Sequence, residues 1–485
     1  MIVYGFDKGV AVTQLKEVIQ QSGVAFGTSG ARGLVSALTD EVCAAYTQAF
    51  VRTMQASFKF DAVAIAIDLR PSSLHIAQAC VSMLRKVGIT PIFCGTIPTP
   101  ALALYAQSQQ LPGIMVTGSH IPFDRNGLKF YRPDGEISKQ DEAAMLACTL
   151  EACVVDETTL PPVHRDAYLD YMRRYLNIAG EQALAGLKLA LYQHSSVGRD
   201  LMYELLTALG AEVICLERSD TFVPIDTEAV SQEDMARGLA WAAQYQVDAI
   251  ISTDGDGDRP LISDELGQWL RGDIVGLLTA RALNIKHLAV PVSCNTAIED
   301  SGFFTQVVRT RIGSPFVIAA MEQLLAQGAT SVAGFEANGG FLLGSAPYDI
   351  PGLTALPTRD AVLPVVVLLL QVKQLSLPLS KLVSMLPQRY TASDRLQNFA
   401  TTKSQALLAE WSADLNQLID ALKLSAEITQ VDTTDGLRLT LSTRQIIHLR
   451  PSGNAPEFRC YVEDDSAPAA VKLLEAMLTQ LATFA

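Results

Sequence analysis

The feature that most constrains this chain is a repeated strand-turn-helix-strand pattern. Residues 62–95 contain an apolar run, a polar turn with two serines, an amphipathic stretch, a glycine and a second apolar run. Residues 187–217 repeat this order, and one predicted helical face carries Leu201, Leu205, Leu206 and Leu209. A fainter third copy begins at residue 287. Repetition at this spacing predicts related α/β domains in series.

The C-terminal part of the chain has a different pattern. Short alternating runs, separated by Asp435-Gly436, predict antiparallel strands, and a final helix is expected from about Ala467. This pattern predicts an α+β domain. Breaks in composition predict four domains in all, at residues 1–160, 161–266, 267–376 and 385–485.

Bulk composition narrows the class of protein. A chain of 485 residues is too long for one hydrophobic core. Its formal net charge of -14 argues against a nucleic-acid partner, because an acidic surface repels a phosphate backbone. The eight cysteines are scattered without a CxxC pair, which predicts reduced thiols in a cytoplasmic protein.

The sequence also argues against export and against a membrane span. Asp7 and Lys8 stand where a signal peptide needs an apolar core. The longest apolar run, at 361–372, is interrupted by Pro364 and is shorter than the roughly 20 residues that a span requires. We expect this run to form a buried helix and the protein to have no membrane partner.

The most specific string is "AIISTDGDGDRP", at 249–260, where an apolar run ends in Asp254, Asp256 and Asp258. The intervening glycines allow the backbone to curl, so that the three carboxylates converge on one cation. Three oxygen donors suit Mg²⁺, which keeps its other positions for water or phosphate.

The same string is compatible with three other kinds of loop. A solvated acidic turn would leave the three carboxylates repelling one another. A calcium-binding helical hand fails, because Arg259 occupies the sixth position, where that loop needs glycine. A phosphatase that forms an aspartyl phosphate stays an alternative, although the usual hydroxyl residue after the second aspartate is missing.

Four further stretches combine glycines with groups that bind anions or sugars. They are "FGTSGARGLV" at 26–35, "VTGSHIPFDRNGLKFY" at 116–131, "GFEANGGFLLG" at 334–344 and "HLRPSGNAPEFRCYVE" at 448–463. Taken singly, each is also compatible with an ordinary turn. Asn126-Gly127 is predicted to form a tight turn that returns Lys129 towards Ser119.

Together with "RTRIGS" at 309–314, these motifs resemble those of the α-D-phosphohexomutase family, and they occur in the family's order over nearly the whole chain. The resemblance implies an α/β fold of four domains around a central cleft, three α/β and one α+β. It implies that Ser119 carries a phosphoryl group. It also implies a magnesium ion held by Asp254, Asp256, Asp258 and the Ser119 phosphate.

The resemblance implies roles for other side chains. Those that assist proton movement near the transferred group are Arg32, His120 and Lys129. Those that contact phosphate or sugar are Arg259, Arg309, Glu336, Asn338, Arg450, Ser452, Gly453, Asn454 and Arg459.

The expected reaction interconverts mannose 6-phosphate and mannose 1-phosphate through a hexose 1,6-bisphosphate, since "GFEANGG" and "RPSGNAPE" look most like mannose-type members. Glucose, dual-specificity and glucosamine mutases stay alternatives, as does, more distantly, a noncatalytic sugar-phosphate sensor. Three positions depart from common family residues and leave the preferred hexose open: Ile121, Ser293 and Ser314.

Overall fold

A computed structural model describes residues 14–27, 30–153, 156, 158–452 and 456–484. The chain divides into two units, the first ending at Tyr171 and the second beginning at Met172. Within the described residues, the first unit contains one β-sheet and the second contains three. Each sheet is built from strands that are consecutive along the chain, so the sheets succeed one another in sequence order.

The first unit contains a mixed seven-stranded sheet. Its strands are β1 (Ala25–Phe26), β2 (Ala31–Leu34), β3 (Ala62–Ile67), β4 (Thr90–Thr96), β5 (Gly113–Val116), β6 (Arg125–Arg132) and β7 (Gly135–Glu136). Their order is β1-β2-β6-β5-β3-β4, with β7 paired to β6. Strand β3 runs parallel to β4 and β5, whereas β6 runs antiparallel to β2 and β5. The chain therefore leaves β5, reverses in one loop and returns along β6.

Helices cover this sheet on both faces. They are α1 (Leu15–Gln21), α2 (Asp40–Gln55), α3 (Ser73–Lys86), α4 (Thr99–Gln109) and α5 (Lys139–Leu146). Helix α2 begins at Asp40 because the Thr39 hydroxyl accepts a hydrogen bond from the Val42 amide. Every side chain of β3 is buried, as is typical of a parallel strand covered on both faces.

The second sheet has three parallel strands and one antiparallel edge strand. Its strands are β8 (Lys188–His194), β9 (Glu212–Arg218), β10 (Ala249–Thr253) and β11 (Pro260–Ser263), in the order β11-β10-β8-β9. Its helices are α6 (Asp166–Ala179), which contains the boundary between the units, α7 (Arg199–Ala208) and α8 (Gln232–Tyr245). The predicted apolar face is confirmed, since all four of its leucines are buried: Leu201, Leu205, Leu206 and Leu209.

The third sheet has the order β13-β12-β14-β15-β16, with strands β12 (His287–Pro291), β13 (Gln306–Thr310), β14 (Val332–Phe335), β15 (Phe341–Leu343) and β16 (Leu356–Asp360). Its helices are α9 (Gly272–Ala282), α10 (Ala297–Asp300), α11 (Ser314–Ala326), α12 (Val362–Leu375) and α13 (Leu379–Ser384). The apolar run at 361–372 forms the buried helix α12, as predicted. Among the described residues, no helix combines the length and the apolar character needed to cross a membrane.

The fourth sheet is entirely antiparallel. Its strands are β17 (Tyr390–Gln397), β18 (Ile428–Asp432), β19 (Leu437–Leu441), β20 (Ile446–Pro451) and β21 (Glu457–Asp464), in the order β17-β21-β20-β19-β18. Its helices are α14 (Thr401–Ala413), α15 (Leu415–Leu422) and α16 (Ala467–Ala482). The predicted strands around Asp435-Gly436 and the predicted final helix are confirmed. Three α/β sheets are thus followed by one α+β domain.

The prediction of a tight turn at Asn126-Gly127 is wrong. Both residues lie within β6, and the chain reverses earlier, between β5 and β6. Gly127 is needed for close packing instead, because a Cβ there would come 2.5 Å from the carbonyl oxygen of Ala31 on β2. The predicted domain boundaries themselves stay predictions.

The burial of α7 leads to a stability prediction. Leu205 is fully buried, so Leu205→Ala should lower the free energy of unfolding by about 2–5 kcal/mol through lost burial and a residual cavity. The matched control is Leu239→Ala, because Leu239 lies on α8 and is 51% exposed. Urea unfolding followed by circular dichroism measures both variants. Equal unfolding midpoints would contradict the packing of α7.

Candidate functional site

The loop between β5 and β6, residues 117–124, is named the serine loop here. Ser119 is fully buried, and its φ of 52° lies in the left-handed region that residues other than glycine seldom adopt. The Ser119 amide donates to Thr117 Oγ1 at 2.8 Å, and the Thr117 hydroxyl donates to Asp68 Oδ2 at 2.7 Å. Ser119 Oγ and His120 Nδ1 lie 3.4 Å apart. The backbone position of Ser119 is therefore fixed by a buried hydrogen-bond chain.

Arg70, just after β3, organises the serine loop. Its guanidinium donates to three carbonyl oxygens at 2.8 Å each, those of Ser119, Pro122 and Arg125. A Cβ at Gly118 would come 2.6 Å from Arg70 Cζ, so a larger residue there would push the guanidinium away from its carbonyl partners. The loop is held by one buried cation that the sequence analysis did not identify.

Asp68 is the second organising residue that the sequence analysis missed. Burial raises the pKa of its carboxyl group, whereas hydrogen bonds from Ser73 and Thr117 and the charge of Arg70 act in the opposite direction. The Ser73 hydroxyl donates to Asp68 Oδ1 at 2.6 Å, and Asn126 Nδ2 donates to Ser73 Oγ at 2.9 Å. Asp68 thus ties the end of β3 to both ends of the serine loop.

Lys129 lies on β6, the neighbour of β5 in the sheet, and Arg32 lies on β2, the neighbour of β6. Lys129 on β6 pairs with Met115 on β5, and Arg32 on β2 pairs with Gly127 on β6. Lys129 is only 3% exposed. These four residues therefore come from two adjacent strands, β6 and β2, and from the loop that precedes β6: Ser119, His120, Lys129 and Arg32. Thr28 and Ser29 of the glycine-rich motif lie outside the described residues.

The loop between β10 and β11, residues 254–259, is named the metal loop. Its three aspartates are buried, and one carboxylate oxygen from each lies within 4.8 Å of the others: Asp254, Asp256 and Asp258. Asp254 Oδ1 accepts from the amides of Asp258 and Arg259 at 3.2 Å each. Gly257, with φ of 70°, permits the curl. The carboxylates converge as the sequence predicted, and such oxygen donors suit a divalent cation.

Two arginines balance this concentration of negative charge. Arg259 Nε lies 3.7 Å from Asp258 Oδ1 and 3.9 Å from Asp254 Oδ2. Arg359, on β16, contacts Asp258 Oδ2 through Nη2 at 3.0 Å and Glu336 Oε2 through Nη1 at 3.2 Å. Arg359 therefore joins the metal loop directly to the predicted sugar-binding residue Glu336. No motif in the sequence analysis contained Arg359.

The loop between β14 and β15, residues 336–340, is named the sugar loop. Glu336 and Asn338 are nearly buried, at 4% and 6% exposure. The Gly340 amide donates to Asn338 Oδ1 at 3.0 Å, and the Gly339 amide donates to the Glu336 carbonyl oxygen at 2.9 Å. Gly339 has a φ of 88°. The loop is thus a tight turn that fixes both predicted sugar-binding residues.

Residues 450–459 are named the phosphate loop. Arg450 and Arg459 occupy paired positions on β20 and β21. Arg450 Nη2 lies 3.4 Å from Asp435 Oδ2, and Arg459 Nη2 lies 3.3 Å from Glu457 Oε2. The Ser452 amide donates to the Glu457 carbonyl oxygen at 2.9 Å. The other two predicted members, Gly453 and Asn454, lie outside the described residues.

Arg309 is held by the protein itself. Its Nη2 contacts Glu299 Oε2 at 2.6 Å, and the guanidinium also donates to the carbonyl oxygens of Pro291, Cys294 and Asn295. These contacts fix the segment after β12. A substrate contact by Arg309 stays a prediction.

Similarity to one protein family extends over nearly the whole chain. Models of phosphoglucomutase/phosphomannomutase alpha/beta/alpha domains I, II and III match residues 23–152, 166–267 and 271–390. The model of the C-terminal domain of the same family matches residues 396–480. The four matches follow one another in family order.

Two relatives and one solved structure extend these matches. A phosphomannomutase from Salmonella muenchen is 50% identical, covering 96% of this chain and 97% of its own length. A phosphomannomutase from Sinorhizobium fredii is 43% identical, and the match covers 95% of this chain and 99% of the relative. The solved structure of a phosphoglucomutase/phosphomannomutase family protein from Burkholderia thailandensis has the same fold, with a TM-score of 0.73 at 21% identity. The match covers 96% of this chain and 98% of that protein. Four family domains in order, with relatives similar over nearly their whole length, show that the chain belongs to the phosphoglucomutase/phosphomannomutase family.

Proposed function

We propose that this protein is a phosphomannomutase that interconverts mannose 6-phosphate and mannose 1-phosphate. The observation that carries the proposal is the buried set of Asp254, Asp256 and Asp258, linked through Arg359 to the sugar loop. A cation-binding group beside a sugar-binding turn suits phosphoryl transfer to a sugar hydroxyl. The preference for mannose is supported by the two relatives that are named phosphomannomutases.

Ser119 is the proposed carrier of the phosphoryl group. In the first half-reaction the bond from Ser119 Oγ to phosphorus breaks, and a bond forms to the free hydroxyl of the hexose phosphate. The sugar hydroxyl gives up its proton and Ser119 Oγ gains one as it leaves, so that the step is balanced; His120, Lys129 and Arg32 are proposed to assist this proton movement. The product is a hexose 1,6-bisphosphate, which turns around and returns its other phosphoryl group to Ser119. The left-handed backbone at Ser119 is consistent with a functional constraint on this residue.

The metal loop fits Mg²⁺ as the proposed cofactor. Its three carboxylates offer convergent hard oxygen donors in a buried setting, and the Ser119 phosphate is the proposed further ligand. When bound, Mg²⁺ supplies neutralisation of the charge that develops on the transferred phosphoryl group. Arg259 is proposed to steady that group.

The sugar and phosphate loops divide substrate recognition between them. Glu336 and Asn338 are proposed to bind sugar hydroxyls in both orientations of the hexose. The proposed holders of the nonreacting phosphate are Arg450, Ser452, Gly453, Asn454 and Arg459. Guanidinium groups suit this task because they bind phosphate oxygens bidentately.

The first test removes the proposed phosphoryl carrier. With Mg²⁺ and a trace of hexose 1,6-bisphosphate, Ser119→Ala should lower mutase turnover at least about a thousandfold, because no other hydroxyl replaces the nucleophile. Mass spectrometry should find one phosphoryl group on the wild type and none at this position in the variant. Ser108→Ala, at an exposed serine on α4, is the control. Undiminished turnover in Ser119→Ala would refute the proposed mechanism.

The second test concerns the cation. A chelator should abolish turnover, and added Mg²⁺ should restore it. Mg²⁺ should also raise the melting temperature of the wild type, because a ligand that binds only the folded state stabilises it. Asp256→Asn should reduce that shift, whereas Asp349→Asn, at an exposed aspartate, should keep it. An equal shift in all three proteins would argue against the metal loop as the site.

The third test concerns the hexose. The value of kcat/KM should be highest for mannose 1-phosphate among the mannose, glucose and glucosamine 1-phosphates. Single hydroxyl differences are often worth only about 1–3 kcal/mol, so the two epimers should differ by roughly one to two orders of magnitude. A higher kcat/KM for glucose or glucosamine 1-phosphate would replace the proposed substrate and keep the mutase reaction.

A further inference from the structure

Thr117, the first residue of the serine loop, joins the backbone of Ser119 to the buried carboxylate of Asp68. Its side chain is buried, and its hydroxyl oxygen accepts from the Ser119 amide at 2.8 Å. Because a backbone amide only donates, the proton of this hydroxyl is left for Asp68 Oδ2, which lies 2.7 Å away. The Thr117 hydroxyl therefore accepts one hydrogen bond and donates another, and a side chain without a hydroxyl can do neither.

The carbonyl group of Ser119 is held by a second side chain. Arg70 Nη2 donates to the Ser119 carbonyl oxygen at 2.8 Å. Thr117 and Arg70 thus hold the two polar backbone groups of Ser119, which belong to the two peptide planes on either side of its Cα. Fixing both planes fixes the direction of the Cα–Cβ bond, and with it the region that Ser119 Oγ can reach.

Both of these side chains are anchored on Asp68. Asp68 Oδ2 accepts from Thr117 and lies 3.4 Å from Arg70 Nε. Its Oδ1 accepts from the Arg70 amide at 3.0 Å and from the Ser73 hydroxyl at 2.6 Å. Asp68 directly follows β3, a strand whose side chains are all buried. The conformation of Ser119 is therefore set by contacts that reach back to the sheet, and not by the loop alone.

We propose that Thr117 is a positioning residue for phosphoryl transfer, whose hydroxyl holds Ser119 in its left-handed conformation and so directs Oγ towards the phosphorus atom. This conformation is costly for a residue other than glycine, so it persists only where surrounding groups impose it. The single proton of the Thr117 hydroxyl is engaged by Asp68, so Thr117 acts through Ser119. The inference rests on the proposed function and adds to it a residue that sets the rate of the transfer step.

The test measures how fast Ser119 is phosphorylated in Thr117→Val, which keeps the branched shape and removes the hydroxyl. Dephosphorylated enzyme with Mg²⁺ is mixed with excess hexose 1,6-bisphosphate, quenched and analysed by mass spectrometry. In this step a sugar oxygen–phosphorus bond breaks, a Ser119 Oγ–phosphorus bond forms, and the Oγ proton passes to the sugar oxygen.

The rate constant of this step should fall about ten- to a hundredfold in Thr117→Val, because a displacement of about 1 Å at a reacting group costs about a hundredfold. The bisphosphate concentration that gives half the maximal rate should stay within about twofold of the wild-type value, since Thr117 does not bind the ligand. A merely structural role would lower the fraction of active molecules and leave the rate constant of each active molecule unchanged.

Two variants serve as controls. Thr117→Ser keeps the hydroxyl, so its rate constant should stay within about threefold of the wild-type value. Thr47→Val removes an equally buried hydroxyl from the same unit, one that donates to the Cys43 carbonyl oxygen at 2.8 Å within α2. Its rate constant should equal that of the wild type.

The proposal has clear points of failure. An unchanged rate constant in Thr117→Val would overturn it, as would an equal loss in Thr117→Ser, which would assign the effect to the methyl group. If Thr117→Val does not fold, Thr117→Ala removes the same hydroxyl and should show the same slow step; if circular dichroism finds neither variant folded, the role is structural and the proposal fails. A wild type that never carries a phosphoryl group on Ser119 would refute the proposed function instead.

Discussion

The close approach of three buried carboxylates in the metal loop is the constraint on which the rest of the site depends. Asp254, Asp256 and Asp258 bring three negative charges within 4.8 Å in a region that water does not screen. Arg259 and Arg359 bring two positive charges to the same group. If all five ionise, one negative charge is left over, and Glu336 beside Arg359 adds another. A divalent cation balances this remainder, so electrostatic neutrality alone favours a metal at this loop.

In the first unit, a single buried carboxylate is likewise balanced by a nearby arginine. Asp68 follows a strand whose side chains are all buried, and Arg70 lies two residues later, with Nε 3.4 Å from the carboxylate. Here the arginine does more than neutralise charge, because it also holds the carbonyl oxygens of the serine loop. Ser119 can keep a left-handed backbone because these contacts determine it from outside the loop. In both units a buried acid-arginine pair shapes the loop that carries the predicted chemistry.

Sequence patterns predicted features that neighbouring residues form, but they did not predict contacts between residues far apart along the chain. The three aspartates and their glycines are contiguous, so convergence of their carboxylates followed from spacing and backbone freedom. The helices α7, α12 and α16 followed from periodicity and apolar length. Arg359 lies 101 residues after its partner Asp258, and Arg70 lies 49 residues before Ser119, so no local pattern connects them. The predicted turn at Asn126-Gly127 is wrong because this dipeptide, although typical of turns, lies inside a strand. There Asn126 donates a hydrogen bond to Ser73, and Gly127 leaves room for the backbone of the neighbouring strand.

Selectivity for one hexose has to come from few side chains in such a site. The sugar loop is bound to its surroundings by backbone contacts: Thr227 holds its Asn338 carbonyl, and Gly272 leaves no space beside Gly339. A loop fixed in this way cannot reshape itself around different sugars, so discrimination falls to the side chains that reach the ring. Arg359 already engages one oxygen of Glu336, which ties that carboxylate to the charge of the metal loop.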